Sequence, residues 1–120
     1  MADVQIQGLT KTYGAFKAVS DMTLDVHEGE FLIFLGPSGC GKTTTLRMLA
    51  GFIEPDAGTM RLGKREITFE PPHRRNIGLV FQNYALFPHL SILENVAFGL
   101  RRRKVAEPEL KSRVQHALEL

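Results

Sequence analysis

The chain has 120 residues, of which 43% are hydrophobic and 23% are charged, and its formal net charge is +2. This composition is typical of a globular chain and excludes more than one domain of ordinary size. The small positive charge does not by itself indicate a nucleic-acid partner.

Cysteine and histidine usage narrows the class of protein further. Cys40 is the single cysteine, so an internal disulfide is excluded and a reducing compartment is favoured. The four histidines, at positions 27, 73, 89 and 116, lack the spacing of metal ligands. The first residues carry no basic-then-apolar signal, and no apolar run is as long as a membrane span. We therefore expect a soluble, cytoplasmic protein.

Two half-buried strands are predicted at the start of the chain. Apolar residues alternate with polar ones, nearly so at Val4, Ile6 and Leu9 and cleanly at Met22, Leu24 and Val26. Gly14 and the pair Ser20-Asp21 predict the turns between them. Tyr13 follows the first strand, where its ring either stacks on an adenine base, gaining about 1 kcal/mol, or packs on the sheet with its hydroxyl in water.

The chain is organised around residues 36–44, Gly-Pro-Ser-Gly-Cys-Gly-Lys-Thr-Thr. They match the phosphate-binding pattern G-x-x-x-x-G-K-[ST] at Gly36, Gly41, Lys42 and Thr43. Glycines let the backbone bend around a polyphosphate, so that amide N–H groups point at its oxygens. Lys42 supplies positive charge for the β- and γ-phosphates, and the Thr43 hydroxyl is suited to Mg²⁺. The alternative is a glycine-rich turn without a ligand.

The residues on either side of this motif supply the context that it requires. Residues 31–35, Phe-Leu-Ile-Phe-Leu, are an apolar run of buried-strand length. Leu46, Leu49 and Ala50 then recur at helical spacing, and Gly51 stands where a helix C-cap is expected. The pattern predicts a strand, a phosphate loop and a helix whose positive dipole end faces the anion.

Residues 54–75 predict a turn, two short strands and a loop. The run Glu-Pro-Asp-Ala-Gly at 54–58 is a strong turn signal, residues 59–62 alternate as a strand, and Gly63-Lys64 predicts a tight turn. Ile67 and Phe69 suggest a returning strand. Two prolines end it at 71–72, and the basic residues 73–75 favour a solvated loop over a phosphate site.

A second apolar run, residues 77–81, is again of buried-strand type and ends on Gln82. Ligands of open α/β sheets gather at the carboxyl ends of the strands, so Gln82 could reach Mg²⁺ or an attacking water. An ordinary loop amide with local hydrogen bonds is an equally supported alternative.

The last third of the chain predicts an apolar loop and two helices. Residues 83–87, Asn-Tyr-Ala-Leu-Phe, form an apolar and aromatic cluster that either folds inward or meets a partner. Ser91 and Glu94 fit a capping box that opens a helix, and the basic run at 101–104 favours a solvated helix end over nucleic-acid contact. From Pro108 onward, helical period returns at Leu110, Val114, Ala117 and Leu118.

These residues resemble the amino-terminal half of the ATPase subunit of an ATP-binding cassette (ABC) transporter, over essentially the whole chain. Tyr13 stands in the position of the family's adenine-stacking aromatic, residues 36–44 are similar to Walker A, and residues 80–82 are similar to the strand entering the Q-loop. Residues 82–90 and 94–100 look most like bacterial importers for polyamines, sugars, ferric iron or thiamine.

The resemblance implies an α/β fold, the P-loop NTPase core of an ABC ATPase in incomplete form. Residues 1–86 would hold an antiparallel β subdomain, the phosphate loop and the Q-loop, and residues 87–120 the start of the helical subdomain. The implied cofactors are ATP and Mg²⁺, with Thr43 and Gln82 as Mg²⁺ ligands and Gln82 as the γ-phosphate sensor. The implied nucleotide-binding residues are Tyr13, Gly36, Pro37, Ser38, Gly39, Cys40, Gly41, Lys42, Thr43 and Thr44.

The resemblance also implies partners. A transmembrane permease subunit would meet the segment that runs from Tyr84 to Leu100, and a second ATPase subunit would complete a homodimer. The expected location is cytoplasmic and peripheral, on the inner face of the cell membrane, and nucleic acid is not an expected partner.

The chain departs from the family's pattern by what it lacks. It has no Leu-Ser-Gly-Gly-Gln signature, no later strand with the Walker B aspartate and the catalytic glutamate, and no switch histidine. We expect a fragment, or one part of a longer product, that binds nucleotide without hydrolysing it efficiently. Strands that would flank residues 31–35 are also missing, which leaves edges of buried type unpaired.

Other functions compete with nucleotide binding. The first is a non-catalytic interaction module that keeps the Tyr84 to Leu100 surface for a membrane subunit. A kinase or GTPase is disfavoured because no guanine-reading Asn-Lys-x-Asp occurs. A soluble ABC protein of DNA repair or translation would need a salt-sensitive nucleic-acid affinity through residues 101–104.

Overall fold

The computed structural model describes residues 3–120 and divides into two compact units, Met1–Leu79 and Val80–Leu120. The first unit contains β1 (Val4–Tyr13), β2 (Phe16–Val26), α1 (Lys42–Ala50), β3 (Ala57–Leu62), β4 (Arg65–Glu66) and α2 (Pro72–Arg75). The second contains α3 (Ile92–Arg102) and α4 (Glu107–Leu118). Within residues 3–120, no helix combines the length and the apolar character needed to cross a membrane.

The strands form an antiparallel sheet in the order β2-β1-β3-β4. Its apolar face packs on α1, which confirms the predicted antiparallel β subdomain. The buried cluster is built mainly from the inward-facing residues of the strands and from one face of α1. Its members are Ile6, Leu9, Val19, Met48, Met60 and Ile67.

The turn predicted at Gly14 joins β1 to β2 as a hairpin, in which Tyr13 is the partner of Phe16. The turn predicted at Ser20-Asp21 is wrong, because both residues lie inside β2. Asp21 has a φ of 47° where the register of the two strands shifts, and its amide donates to the Thr10 hydroxyl at 3.0 Å. The turn-forming residues therefore produce an irregularity within a long strand.

The two apolar runs do not form strands in this chain, so both predictions of buried strands are wrong. In residues 31–35, Phe31 and Leu35 are 86% and 88% exposed, and in the second run Val80 is 88% exposed. A strand requires a hydrogen-bonded neighbour, and no strand among residues 3–120 pairs with either run. The exposure of both runs agrees with the expectation that segments typical of buried strands lack hydrogen-bonded neighbours in this chain.

The strand that returns from β3 is shorter than predicted. β4 comprises only Arg65–Glu66, and Phe69 is exposed. The Thr68 hydroxyl bonds to the Met60 amide at 2.9 Å, in place of a backbone partner, while the Ile67 amide donates to the Met60 carbonyl at 2.8 Å. A side chain thus ends the ladder while Ile67 still reaches the core.

The basic residues 73–75 form the short helix α2, so the prediction of a solvated loop is wrong for Arg75. This side chain is 1% exposed and donates to four backbone carbonyls. Its Nη1 contacts Met48 at 2.7 Å and Leu49 at 2.9 Å, at the C-terminal end of α1. Nε and Nη2 contact the carbonyls of Glu70 at 2.7 Å and Thr68 at 3.1 Å.

The second unit is a helical pair. The capping box is confirmed, since the Ser91 hydroxyl accepts the Glu94 amide at 3.2 Å and the Glu94 carboxylate accepts the Ser91 amide at 2.9 Å. The Ser91 amide and the Ser91 hydroxyl both donate to this carboxylate and lower the pKa of Glu94. α4 begins at Glu107 and buries two residues of its predicted face against Ala97, whereas the other two stay exposed. The buried pair is Leu110 and Val114, and the exposed pair is Ala117 and Leu118.

Candidate nucleotide-binding site

The phosphate-binding motif forms a bent loop that ends at α1. Gly39 and Gly41 have φ values of 81° and 91°, in the left-handed region that favours glycine. The Cys40 amide donates to the Pro37 carbonyl at 3.3 Å. Among the described residues, no other amide from 38 to 44 donates to a backbone carbonyl. Successive N–H groups in such a bend form a concave donor surface for an anion.

Gly41 fixes this loop against the hairpin. A Cβ at this position would lie 2.2 Å from the Ala18 carbonyl oxygen and 3.2 Å from Val19 Cγ2. The next turn is tied down as well, because the Thr45 hydroxyl donates to the Gly41 carbonyl at 2.9 Å. Only glycine permits this close approach, so the start of α1 lies directly on β2.

The ammonium of Lys42 lies across the loop. Its Nζ donates to the carbonyls of Gly36 at 2.6 Å and Pro37 at 2.8 Å, and it lies 3.3 Å from the Cys40 sulfur. The first residue of α1 therefore places a positive charge beside the loop, and the α1 N-terminus adds its own positive dipole end. Both features favour a polyanionic ligand.

A cavity of about 240 Å³ joins Tyr13 to the phosphate loop. Ser38, Gly39 and the start of α1 from Gly41 to Thr44 line one side, and Tyr13 and Phe16 belong to the hairpin side. Tyr13 is 50% exposed, so its ring is accessible. The structure thus brings the predicted aromatic residue and the predicted phosphate cradle to one site.

Phe16 is a further lining residue, beyond those that the sequence motifs predict. It pairs with Tyr13 across the two-residue hairpin turn and faces the same cavity. The signal was present in the sequence, because a hairpin with Gly14 in its turn sets residues 13 and 16 opposite each other.

The side chains present fit a magnesium nucleotide. Thr43, whose hydroxyl is suited to Mg²⁺, lines the cavity beside Lys42. Residues 3–120 contain no group of three or more His, Cys, Asp and Glu side chains that could hold a metal ion. Mg²⁺ does not require one, since it is commonly bound by one or two protein oxygens together with substrate phosphates and water.

Gln82 belongs to the second unit, and its predicted role remains a prediction. It is exposed and lies in a turn that covers residues 82–85. Tyr84 and Ala85 have φ values of 60° and 49°, and the Tyr84 amide donates to the Phe81 carbonyl at 3.0 Å.

This turn and the segment after it expose an apolar surface. Tyr84 is 78% exposed, and a groove of about 240 Å³ is lined mainly by residues 86–92. The side chain of Asn95 holds this loop on α3, because its Oδ1 accepts the Phe87 amide at 2.8 Å and its Nδ2 donates to the Phe87 carbonyl at 3.2 Å. The ring centroids of Phe87 and Phe98 are 4.5 Å apart. The apolar groups are therefore presented on an ordered loop.

The fold and the cavity define a P-loop nucleotide-binding domain, and comparison with known proteins gives its family. A family model described as ABC transporter matches residues 19–120. The chain belongs to the ABC transporter family, as the motif resemblance predicts.

Among individual proteins, the chain is 56% identical over 117 residues to the spermidine/putrescine import ATP-binding protein PotA of Rubrobacter xylanophilus. That match covers 98% of this chain and 31% of the relative. The PotA protein of Aliivibrio fischeri is 51% identical over 119 residues, which are 99% of this chain and 32% of the relative. The chain thus spans about a third of the length of these curated relatives.

Solved structures give the same fold. A dimeric post-hydrolysis structure of the ATP-binding cassette MJ0796, bound to ADP and Pi, matches with a TM-score of 0.85 and 30% identity. The match covers 97% of this chain and 56% of that one. The predicted fold class, an ABC ATPase core in partial form, is therefore confirmed.

Proposed function

We propose that this chain is the nucleotide-binding part of the ATPase subunit of an ABC importer. The observation that carries the proposal is the cavity that Tyr13 shares with the Lys42 side chain and with loop residues, of which Ser38, Gly39 and Gly41 to Thr44 have amides without a backbone carbonyl partner in the described part of the chain. An aromatic ring at one end and a cationic, amide-lined loop at the other match the two ends of ATP.

Each predicted residue has a role in this proposal. The amides of the loop and Lys42 bind the phosphates, Thr43 binds Mg²⁺, and Tyr13 stacks on adenine. When bound, Mg²⁺ neutralises charge on the β- and γ-phosphates. Gln82 senses the γ-phosphate and binds Mg²⁺ in the complete domain.

Hydrolysis requires more than this chain contains. The sequence has neither a Walker B strand nor a signature motif, so no residue of this chain is assigned as a catalytic base. We propose that the 120-residue chain binds MgATP and does not hydrolyse it efficiently, whereas the complete protein couples ATP binding and hydrolysis to transport.

The partners follow from the same proposal. A transmembrane permease subunit docks on the surface from Tyr84 to Leu100, and a second ATPase subunit completes a homodimer, which places the protein on the inner face of the cell membrane. The names of the relatives make spermidine and putrescine the first solutes to test.

The test is equilibrium binding of MgATP to the parent chain, to Lys42→Ala and to a control, Lys64→Ala. Lys64 lies in the turn between β3 and β4, away from the residues that line the cavity. We expect Lys42→Ala to bind at least about tenfold more weakly, because a charge-assisted phosphate contact is lost, and Lys64→Ala to bind as the parent does. Equal affinities of Lys42→Ala and the parent would refute the cradle assignment.

A second function, a non-catalytic module that docks on a permease, is favoured by the exposed apolar groove of residues 86–92. The distinguishing measurement is binding of the chain to a reconstituted polyamine-importer permease, with and without MgATP. Capture that is independent of MgATP and lost in Tyr84→Ala would favour the docking module over the nucleotide-binding function.

A further inference from the structure

One carboxylate holds the end of β1 that leads into Tyr13. Asp56 Oδ2 accepts the Thr12 amide at 2.7 Å and the Thr12 hydroxyl at 2.8 Å. Its Oδ1 accepts the Lys11 ammonium at 2.8 Å. The Asp56 amide donates in turn to the Thr10 carbonyl at 2.9 Å. Asp56 therefore fixes both residues that immediately precede Tyr13.

The same network reaches the aromatic ring. Lys11 Nζ, held by Asp56, lies 5.7 Å from the centroid of the Tyr13 ring, within the range of a cation–π contact. The ring is half exposed, and the Lys11 contact and the backbone at Thr12 are two constraints on its orientation that depend on Asp56. Asp56 itself does not line the cavity that Tyr13 shares with the phosphate loop.

We propose that Asp56 is a positioning residue that orients the Tyr13 ring for the nucleotide base and thereby contributes to base recognition. The inference rests on the proposed function, since it assigns Tyr13 to the base. An ordered ring loses less conformational freedom when a base stacks on it, so binding is stronger than to a mobile ring. The contacts from Lys11 and Thr12 lower the pKa of Asp56 to about 2, which shows that they favour the charged form of the carboxylate.

The first test distinguishes the contribution of the base to binding from that of the phosphates. MgATP and magnesium tripolyphosphate are titrated into the parent chain, Asp56→Asn, Asp56→Ala and the control Glu54→Gln, which changes an exposed carboxylate in the same turn. We expect both Asp56 variants to bind MgATP about three- to tenfold more weakly, the range of one aromatic stacking contact, and to bind tripolyphosphate as the parent does. Equal weakening of both ligands, or none, would overturn the proposal.

The second test observes the Tyr13 ring without a ligand. The chain has two tyrosines and no tryptophan, so in a Tyr84→Phe background Tyr13 is the only tyrosine fluorophore. Asp56→Asn should lower the fluorescence anisotropy of Tyr13 while the far-UV circular dichroism stays unchanged, and Glu54→Gln should do neither. Unchanged anisotropy in Asp56→Asn would overturn the positioning role.

The two tests distinguish a failure of the proposed nucleotide-binding function from a failure of the positioning role of Asp56. A parent chain that binds neither MgATP nor tripolyphosphate refutes the proposed function, whereas the anisotropy of Tyr13 decides the role of Asp56 by itself. Lys11→Met adds a further check, since loss of the ammonium should reproduce the lower anisotropy of Asp56→Asn.

Discussion

Arg75 is the buried charge whose removal we expect to cost the most stability in the first unit. Its guanidinium links the C-terminal end of α1 to the loop after β4, with contacts to the carbonyls of Met48, Leu49, Thr68 and Glu70. In Arg75→Met the apolar stem is kept and every donor is removed. The variant therefore isolates the hydrogen bonds from the packing.

The magnitude follows from which carbonyls lose a partner. The Met48 carbonyl keeps the Gly51 amide at 3.1 Å, whereas those of Leu49, Thr68 and Glu70 lose the guanidinium. The Thr68 contact is buried and those of Leu49 and Glu70 are partly buried, so we count the lower limit of about 1 kcal/mol for each unpaired acceptor and expect the free energy of unfolding to fall by about 3 kcal/mol. This is a large share of the roughly 5–15 kcal/mol that stabilises an ordinary domain.

The assay is urea unfolding followed by far-UV circular dichroism, with Arg74→Met as the matched control. Arg74 is exposed in the same short helix, so its substitution removes one positive charge without removing buried contacts. With a slope of about 1–3 kcal/mol per molar urea, Arg75→Met should lower the midpoint by about 1–3 M. A midpoint within about 0.3 M of the parent, or an equal effect in Arg74→Met, would refute this reasoning.

Three further predictions test local features. Contacts from Lys11 and Thr12 lower the pKa of Asp56 from 3.8 to about 2. The contribution of the Asp56 carboxylate to stability is therefore present above about pH 5 and is lost as the pH falls toward 2. The difference between the urea midpoints of the parent and of Asp56→Asn should therefore shrink as the pH falls, and a difference that is independent of pH would contradict this. Ser91→Ala should lower stability by about 1 kcal/mol in urea unfolding because it removes the hydroxyl that accepts the Glu94 amide, and no change would argue against the cap. Gly41→Ala should abolish tripolyphosphate binding in calorimetry, since its Cβ would lie 2.2 Å from the Ala18 carbonyl at a φ of 91°; parent-like affinity would exclude this close contact.

The elements that the sequence predicts well are those with a complete local signal. The alternation in β1 and β2 marks one face as buried, and the Ser91 capping box marks the start of α3. These signals depend on neighbours within one strand pair or one helical turn. The partners of these elements, α1 and β3 for the strands and α4 for α3, are present in this chain.

The failed predictions depend on partners that local patterns do not specify. The apolar runs at 31–35 and 77–81 are typical of buried strands, yet composition cannot say whether a neighbouring strand is present. The burial of Arg75 was missed for a related reason. A basic residue in a polar run predicts a solvated side chain, and only the fold brings the end of α1 to within hydrogen-bond distance.

The bend of the phosphate loop forms without the predicted strand before it, and the contacts of α1 explain why. Gly41 lies against the Ala18 carbonyl, and the Thr45 hydroxyl closes the first turn, so β2 fixes the beginning of the helix. Arg75 fixes its end. The phosphate loop is therefore held by the hairpin and the helix, although residues 31–35 form no strand before it. A motif that carries its own glycine contacts can keep its geometry where the adjoining strand lacks a neighbour.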